Sequence, residues 1–138
     1  MYKCVMPAGK YFVGDPSMVL NSNSWQEIIL ATDTFCDEDA DWRNLPIWAA
    51  ATAHGDGAYD GSDGFEYPVY RGLIGVMPVE AMDVEVDLVE HHMNGRIVEF
   101  DEGFICEEFH GIITIGEISI DTDPENDEEV EFHSGYDY

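Results

Sequence analysis

Between Gly95 and Asp121 the chain reads "GRIVEF", "GFICEEF" and "GIITIGEISI", apolar and β-branched stretches separated only by "DEG" and "HG". Connections this short cannot hold the long crossover that parallel neighbours need, so these strands must run antiparallel, as a meander. Earlier segments extend the pattern. "KYFVGDPSMVL" opens as a strand from Lys10 to Val13, is broken by the Gly14-Asp15-Pro16 turn and resumes through Leu20. "LPIWAAATA" is apolar nearly throughout and fits a buried strand once Pro46 has opened it. "FEYPVY" and "GLIGVMPVEAM" add two more strand-like stretches, and "DVEVDLVE" alternates strictly, with Val84, Val86 and Leu88 facing one way and Asp83, Glu85 and Asp87 the other.

One helix interrupts the strands. Ser24 with Glu27 three residues later has the form of a capping box, and Trp25, Ile28, Ile29 and Ala31 recur at helical spacing toward Phe35. The fold class expected is therefore α+β, mainly β: an antiparallel sheet, closed as a sandwich or a partly open barrel, with one packed helix. Val84, Val86, Ile97, Ile105, Ile113 and Ile115 are expected to share one core, which Trp25, Ile28 and Ile29 cover in part. A single globular domain over residues 1–123 leaves 124–138, "PENDEEVEFHSGYDY", as an acidic C-terminal tail.

Charge sets the class of function. Thirty acidic residues stand against five basic ones in 138, a formal net charge of −25, while 45% of the residues are hydrophobic. That apolar content is enough for one core, so the chain folds against its own repulsion. A surface of this sign repels nucleic acid and anionic membranes and attracts basic partners. From Glu80 to Glu131 there are eighteen acids and one base, Arg96. Alternate residues of a strand lie about 6.8 Å apart, close to the phosphate spacing along one DNA strand. Asp83, Glu85 and Asp87 would form one such row, with Glu99 and Asp101, and Glu107 or Glu108 on the neighbouring strand, supplying a second. Salt adaptation is the plainer explanation, and only two lysines, Lys3 and Lys10, agree with it. The crowding of acids into the second half speaks for a binding surface instead.

"TAHGDGAYDGSDGFEY", residues 52 to 67, offers a different candidate. Asp56, Asp60 and Asp63 are hard oxygen donors that a divalent cation would gather, and His54 beside Asp56 has the makings of an acid/base pair. The spacing of four then three does not match an EF-hand, and carboxylates would repel a phosphate. The alternative is a hairpin loop whose glycines take positive φ and whose aspartates form Asx-turns. No nucleophile elbow and no glycine fingerprint is present, so neither an enzyme nor a cofactor is expected. Cys4, Cys36 and Cys106 are far apart in sequence and lack a Cys-x-x-Cys pair, which fits small buried hydrophobes in a reducing compartment better than a disulfide framework. No apolar leader region or membrane span is evident, and the expected location is the cytoplasm of the host cell.

The stretches "YFVGDPSMVL", "ATAHGDGAYD", "YRGLIGVMPVE" and "IGEISIDTD", with the Trp-containing helix between the first two, resemble a group of small uncharacterised proteins of bacteriophages and prophages. The resemblance spans roughly residues 11 to 123. It implies a phage setting rather than a mechanism. The function expected is an acidic binding protein, a DNA-mimicking inhibitor of a host nucleic-acid-binding or defence protein. Its partner would be a basic protein surface such as a nucleic-acid-binding groove, with no direct nucleic-acid or membrane contact, and a homodimer is left open. The alternative is a small-ligand or cation-binding module, or a small enzyme, centred on residues 54–63.

Overall fold

The computed structural model describes residues 2–31 and 45–123. Among these residues there are ten strands: β1 (Tyr2–Met6), β2 (Gly9–Gly14), β3 (Trp48–Ala51), β4 (Gly57–Asp60), β5 (Glu66–Val69), β6 (Leu73–Pro78), β7 (Gly95–Phe100), β8 (Phe104–Phe109), β9 (Ile112–Ile115) and β10 (Ile118–Asp121). Two helices accompany them, α1 (Ser22–Ala31) and α2 (Val86–His92). The strands form two four-stranded antiparallel sheets, β1-β8-β9-β10 and β3-β6-β2-β7, and a separate β4-β5 hairpin. Among the described residues the sheets are open and no barrel closes, so the mainly β, antiparallel expectation holds. A second helix joins the one expected.

The layers follow from which faces are apolar. Met6, Cys106, Ile113, Ile115, Ile118 and Ile120 of the first sheet pack with Tyr11, Val13, Trp48, Ile74 and Val76 of the second. On the far face of the second sheet, Phe12, Ala49, Leu73 and Met77 meet Ile28 of α1 and Val89 of α2. The second sheet is thus sandwiched between layers, which is why Tyr11, Phe12 and Val13 are buried in succession. Gly75 of β6 is the register partner of Ala49 of β3, and a Cβ there would collide with the Trp48 carbonyl. The hairpin closes one end of the sandwich: Tyr67 and Val69 enter the inter-sheet core, and the Ser62 amide donates to the Ser119 carbonyl at 2.8 Å.

Several expectations need correction. The run from Gly95 onward is not one meander. β8, β9 and β10 are consecutive neighbours, but β7 belongs to the other sheet, beside β2. "DVEVDLVE" is not a strand: Asp83 to Glu85 are irregular and α2 begins at Val86. Val86 and Val89 satisfy helical spacing, whereas Val89 is out of phase with the alternation of Val84, Val86 and Leu88, and Val89 is fully buried. Asp87 in the first turn and His91 and His92 in the last complement the helix macrodipole. Beyond the Gly14-Asp15-Pro16 turn the chain forms a 3-10 turn over Pro16–Met18, not a resumed strand.

The expected core also divides. Ile113 and Ile115 lie between the sheets, Val84 and Ile97 pack on the helix side, and Ile105 is exposed. Ile28 is buried, with Trp25 and Ile29 packed beside it, as the amphipathic spacing requires. The cap of α1 is Asn21 rather than Ser24, since the Asn21 Oδ1 accepts from the Ser24 amide at 2.8 Å. The expected end of this helix near Phe35 and the tail from 124 lie outside the described residues.

Candidate functional site: an acidic hollow between the sheets

The three-residue passage Asp101-Glu102-Gly103 carries the chain from β7 in one sheet to β8 in the other. Across from it, Gly116 and Glu117 turn β9 into β10. The two turns enclose a hollow of about 430 Å³ whose rim carries Glu99, Asp101, Glu102 and Glu117, all exposed. Its wall includes Phe100 and Phe104, stacked with ring centroids 3.7 Å apart and planes 14° from parallel. Both rings meet Tyr11 edge-on, and the Tyr11 hydroxyl donates to the Pro7 carbonyl at 2.8 Å. Gly116 has φ +60°, and a Cβ there would come within 2.9 Å of the Phe100 ring, so the turn can close on the aromatic wall only as glycine.

Among the described residues that line the hollow, Arg96 is the one cation. Arg96 donates from Nη1 to the Asp63 Oδ2 at 2.6 Å, and the Tyr67 hydroxyl donates to the same oxygen at 2.6 Å. Burial raises the Asp63 carboxyl, but the hydrogen bonds from Tyr67, Arg96 and the Phe65 amide outweigh it and hold the group below its usual range. The same partnership, with burial first, pushes the Tyr67 hydroxyl well up. Arg96 is therefore committed to the hairpin and leaves the rim carboxylates unneutralised on that side. Lys10 stands opposite Glu99 in the β2-β7 register.

The structure brings Glu99 and Asp101 together at this rim and separates the other acids expected to act with them. Asp83, Glu85 and Asp87 do not form a strand row. Asp83 accepts from the Asn21 amide at 2.9 Å, Glu85 precedes α2, and Asp87 lies in its first turn. β7 and β8 are not hydrogen-bonded neighbours, so Glu107 and Glu108 do not extend a row from Glu99. They pair across β8 with β1 and β9, and Glu108 accepts from the Gly111 amide at 2.9 Å. Glu102 and Glu117, which alternation could not reveal, complete the rim. The available signal was an acid at the tip of each of two tight turns.

Residues 54–63 lead into and turn a supported hairpin, β4 paired with β5. Asp63 closes an Asx-turn onto the Phe65 amide at 3.2 Å, Gly64 has φ +84°, and Thr52 and Tyr59 both donate to the Gly55 carbonyl. Asp56, Asp60 and Asp63 do not converge: among the described residues no three His, Cys, Asp or Glu side chains are placed to hold a metal ion. Asp60 is a register partner of Glu66, and Asp63 is turned to Tyr67 and Arg96. The partner of His54 is Asp123, 3.7 Å away, rather than Asp56.

A second hollow, about 360 Å³, is lined by Ser17, Leu20, Ser22, Trp25, Gln26 and Arg71, with the Arg71 guanidinium 6.0 Å from the Trp25 ring. Beneath it Asp15 is fully buried and satisfied: Oδ1 accepts from the Ser17 amide and hydroxyl, Oδ2 from the amides of Tyr70 and Arg71 at 2.7 and 2.8 Å. This carboxylate fastens the Gly-Asp-Pro turn to the β5-β6 connection. Among the described residues no helix is long and apolar enough to cross a membrane.

Comparison with known proteins returns no matching family model, no similar curated protein and no similar solved structure.

Proposed function

We propose that the protein acts by binding, taking a basic surface of another protein against its acidic hollow. A nucleic-acid-binding groove is the basic surface that a charge of −25 fits best, and occupying it would make the protein a DNA-mimicking inhibitor rather than an enzyme. The phage setting implied by the sequence resemblance favours a target in the host cell, such as a defence protein that contacts DNA.

The observation that carries this reading is the rim itself: four carboxylates around one concavity with an aromatic wall, its bordering arginine already engaged by Asp63. A guanidinium or ammonium entering the hollow would meet opposite charge and a ring wall together. The Debye length at physiological salt is about 8 Å, so acids gathered at one rim act jointly on an incoming cation while remote ones are screened. Support for mimicry comes from the amount and placement of charge, and not from strand rows at phosphate spacing.

Affinity capture from a bacterial lysate with a salt-elution series would supply the partner, and competition with duplex DNA would test mimicry. Glu99→Lys with Asp101→Lys should abolish capture. Glu128→Lys with Glu129→Lys, the same change in net charge, should reduce it far less. Equal loss from both pairs, or a partner that DNA cannot displace, would contradict the proposal.

A further inference from the structure

Cys4 and Cys106, 102 residues apart in sequence, are direct register partners on the antiparallel neighbours β1 and β8. Opposed residues in such a pair have Cα atoms about 4.5–5.5 Å apart, inside the range of about 4.4–6.8 Å that a disulfide spans. Both side chains turn to the same face. Cys106 is fully buried between the sheets, and Cys4 packs, half-buried, against the same cluster. Both stand as thiols.

We propose that Cys4 and Cys106 are a site of reversible oxidation, a cross-strand disulfide that fastens β1 to β8. The oxidant is a small disulfide such as oxidised glutathione. Cys4 is the entry point, because it is partly exposed on a strand with one described neighbour, whereas Cys106 is out of reach of solvent. The Cys4 thiolate attacks one glutathione sulfur, giving a mixed disulfide and expelling a glutathione thiolate. The Cys106 thiolate then attacks the Cys4 sulfur and expels the second. Two protein thiols are oxidised by two electrons, one glutathione disulfide is reduced to two thiols, and the protons pass to those leaving groups. Burial, with the Cys4 sulfur beside it, pushes the Cys106 thiol up, so the second step is the slow one and quickens as pH rises.

The bridge would tie the edge strand to the centre of its sheet and close a long loop of the unfolded chain. The full chain, incubated with oxidised glutathione at pH 8, alkylated and mapped without reduction, gives the test. The expected result is a peptide joining Cys4 to Cys106, an alkylated Cys36, and a melting temperature raised on the order of 5–10 °C. Dithiothreitol should reverse the rise, and Cys4→Ser should show none. Glutathione remaining on Cys4 with Cys106 alkylated, or a bridge made through Cys36, would overturn the assignment.

Discussion

Arg96 of β7 and Asp63 of the β4-β5 hairpin are joined by a 2.6 Å hydrogen bond that withdraws the guanidinium from the acidic rim beside it. The pair links the hairpin to the second sheet at the edge of the proposed binding site. Arg96→Met should therefore act twice. Stability should fall by about 1 kcal/mol or less, since the arginine side chain is 38% exposed and such pairs are screened. Association with a basic partner should quicken, because the variant removes the cation that borders the rim. Denaturant melts and salt-dependent association rates check the two effects separately. A slower association would show that Arg96 itself touches the partner.

Alkali should destabilise the fold through two tyrosines. Burial, with Asp63 next, pushes Tyr67 far up, and burial, with the Cys106, Glu80 and Cys4 charges adding to it, raises Tyr11 to about 12. Each group holds its proton more firmly folded than unfolded. The stability they contribute is fully present below the ordinary tyrosine value of about 10 and is lost as pH rises above it. Tyrosinate absorbance should show two groups that ionise only on unfolding, and Tyr67→Phe should reduce their number by one. Full ionisation of every tyrosine in the folded protein near pH 10 would contradict this packing.

Asp15→Ala should cost about 3 kcal/mol or more, because it strands four donors that the buried carboxylate satisfies. Asp15→Asn should recover only part, since its amide nitrogen would face donors at one of the two positions. Urea melts of both variants rank them. A loss within about 0.5 kcal/mol for Asp15→Ala, the ordinary range for surface changes, would show that the turn stands without this anchor.

The sequence made the local elements legible and left their assembly hidden. β7 to β10, α1 and the hairpin at 57–69 follow from period, turn residues and Asx chemistry, because those signals act over a few residues. Val84, Val86 and Leu88 alternate while Val86 and Val89 keep helical spacing, and it was the buried contact of Val89 with the helix-side core, together with Asp87 in the first turn and histidines at the last, that favoured the helix. Long-range meetings had no local signature. Asp15 is read by amides 55 and 56 residues away, Cys4 by the strand that carries Cys106, and Glu99 by a turn that belongs to the opposite sheet.

The most direct measurement is a ¹H–¹⁵N chemical-shift titration with an unstructured peptide of alternating arginine and glycine, at low salt and again at physiological salt. Binding at the hollow predicts shifts concentrated over Glu99–Phe104 and Gly116–Ile118, saturable, weakened by salt, and absent in Glu99→Lys with Asp101→Lys. Shifts spread evenly over every acidic segment, α2 included, or no shifts at low salt, would contradict the assignment of this hollow as the basic-partner site.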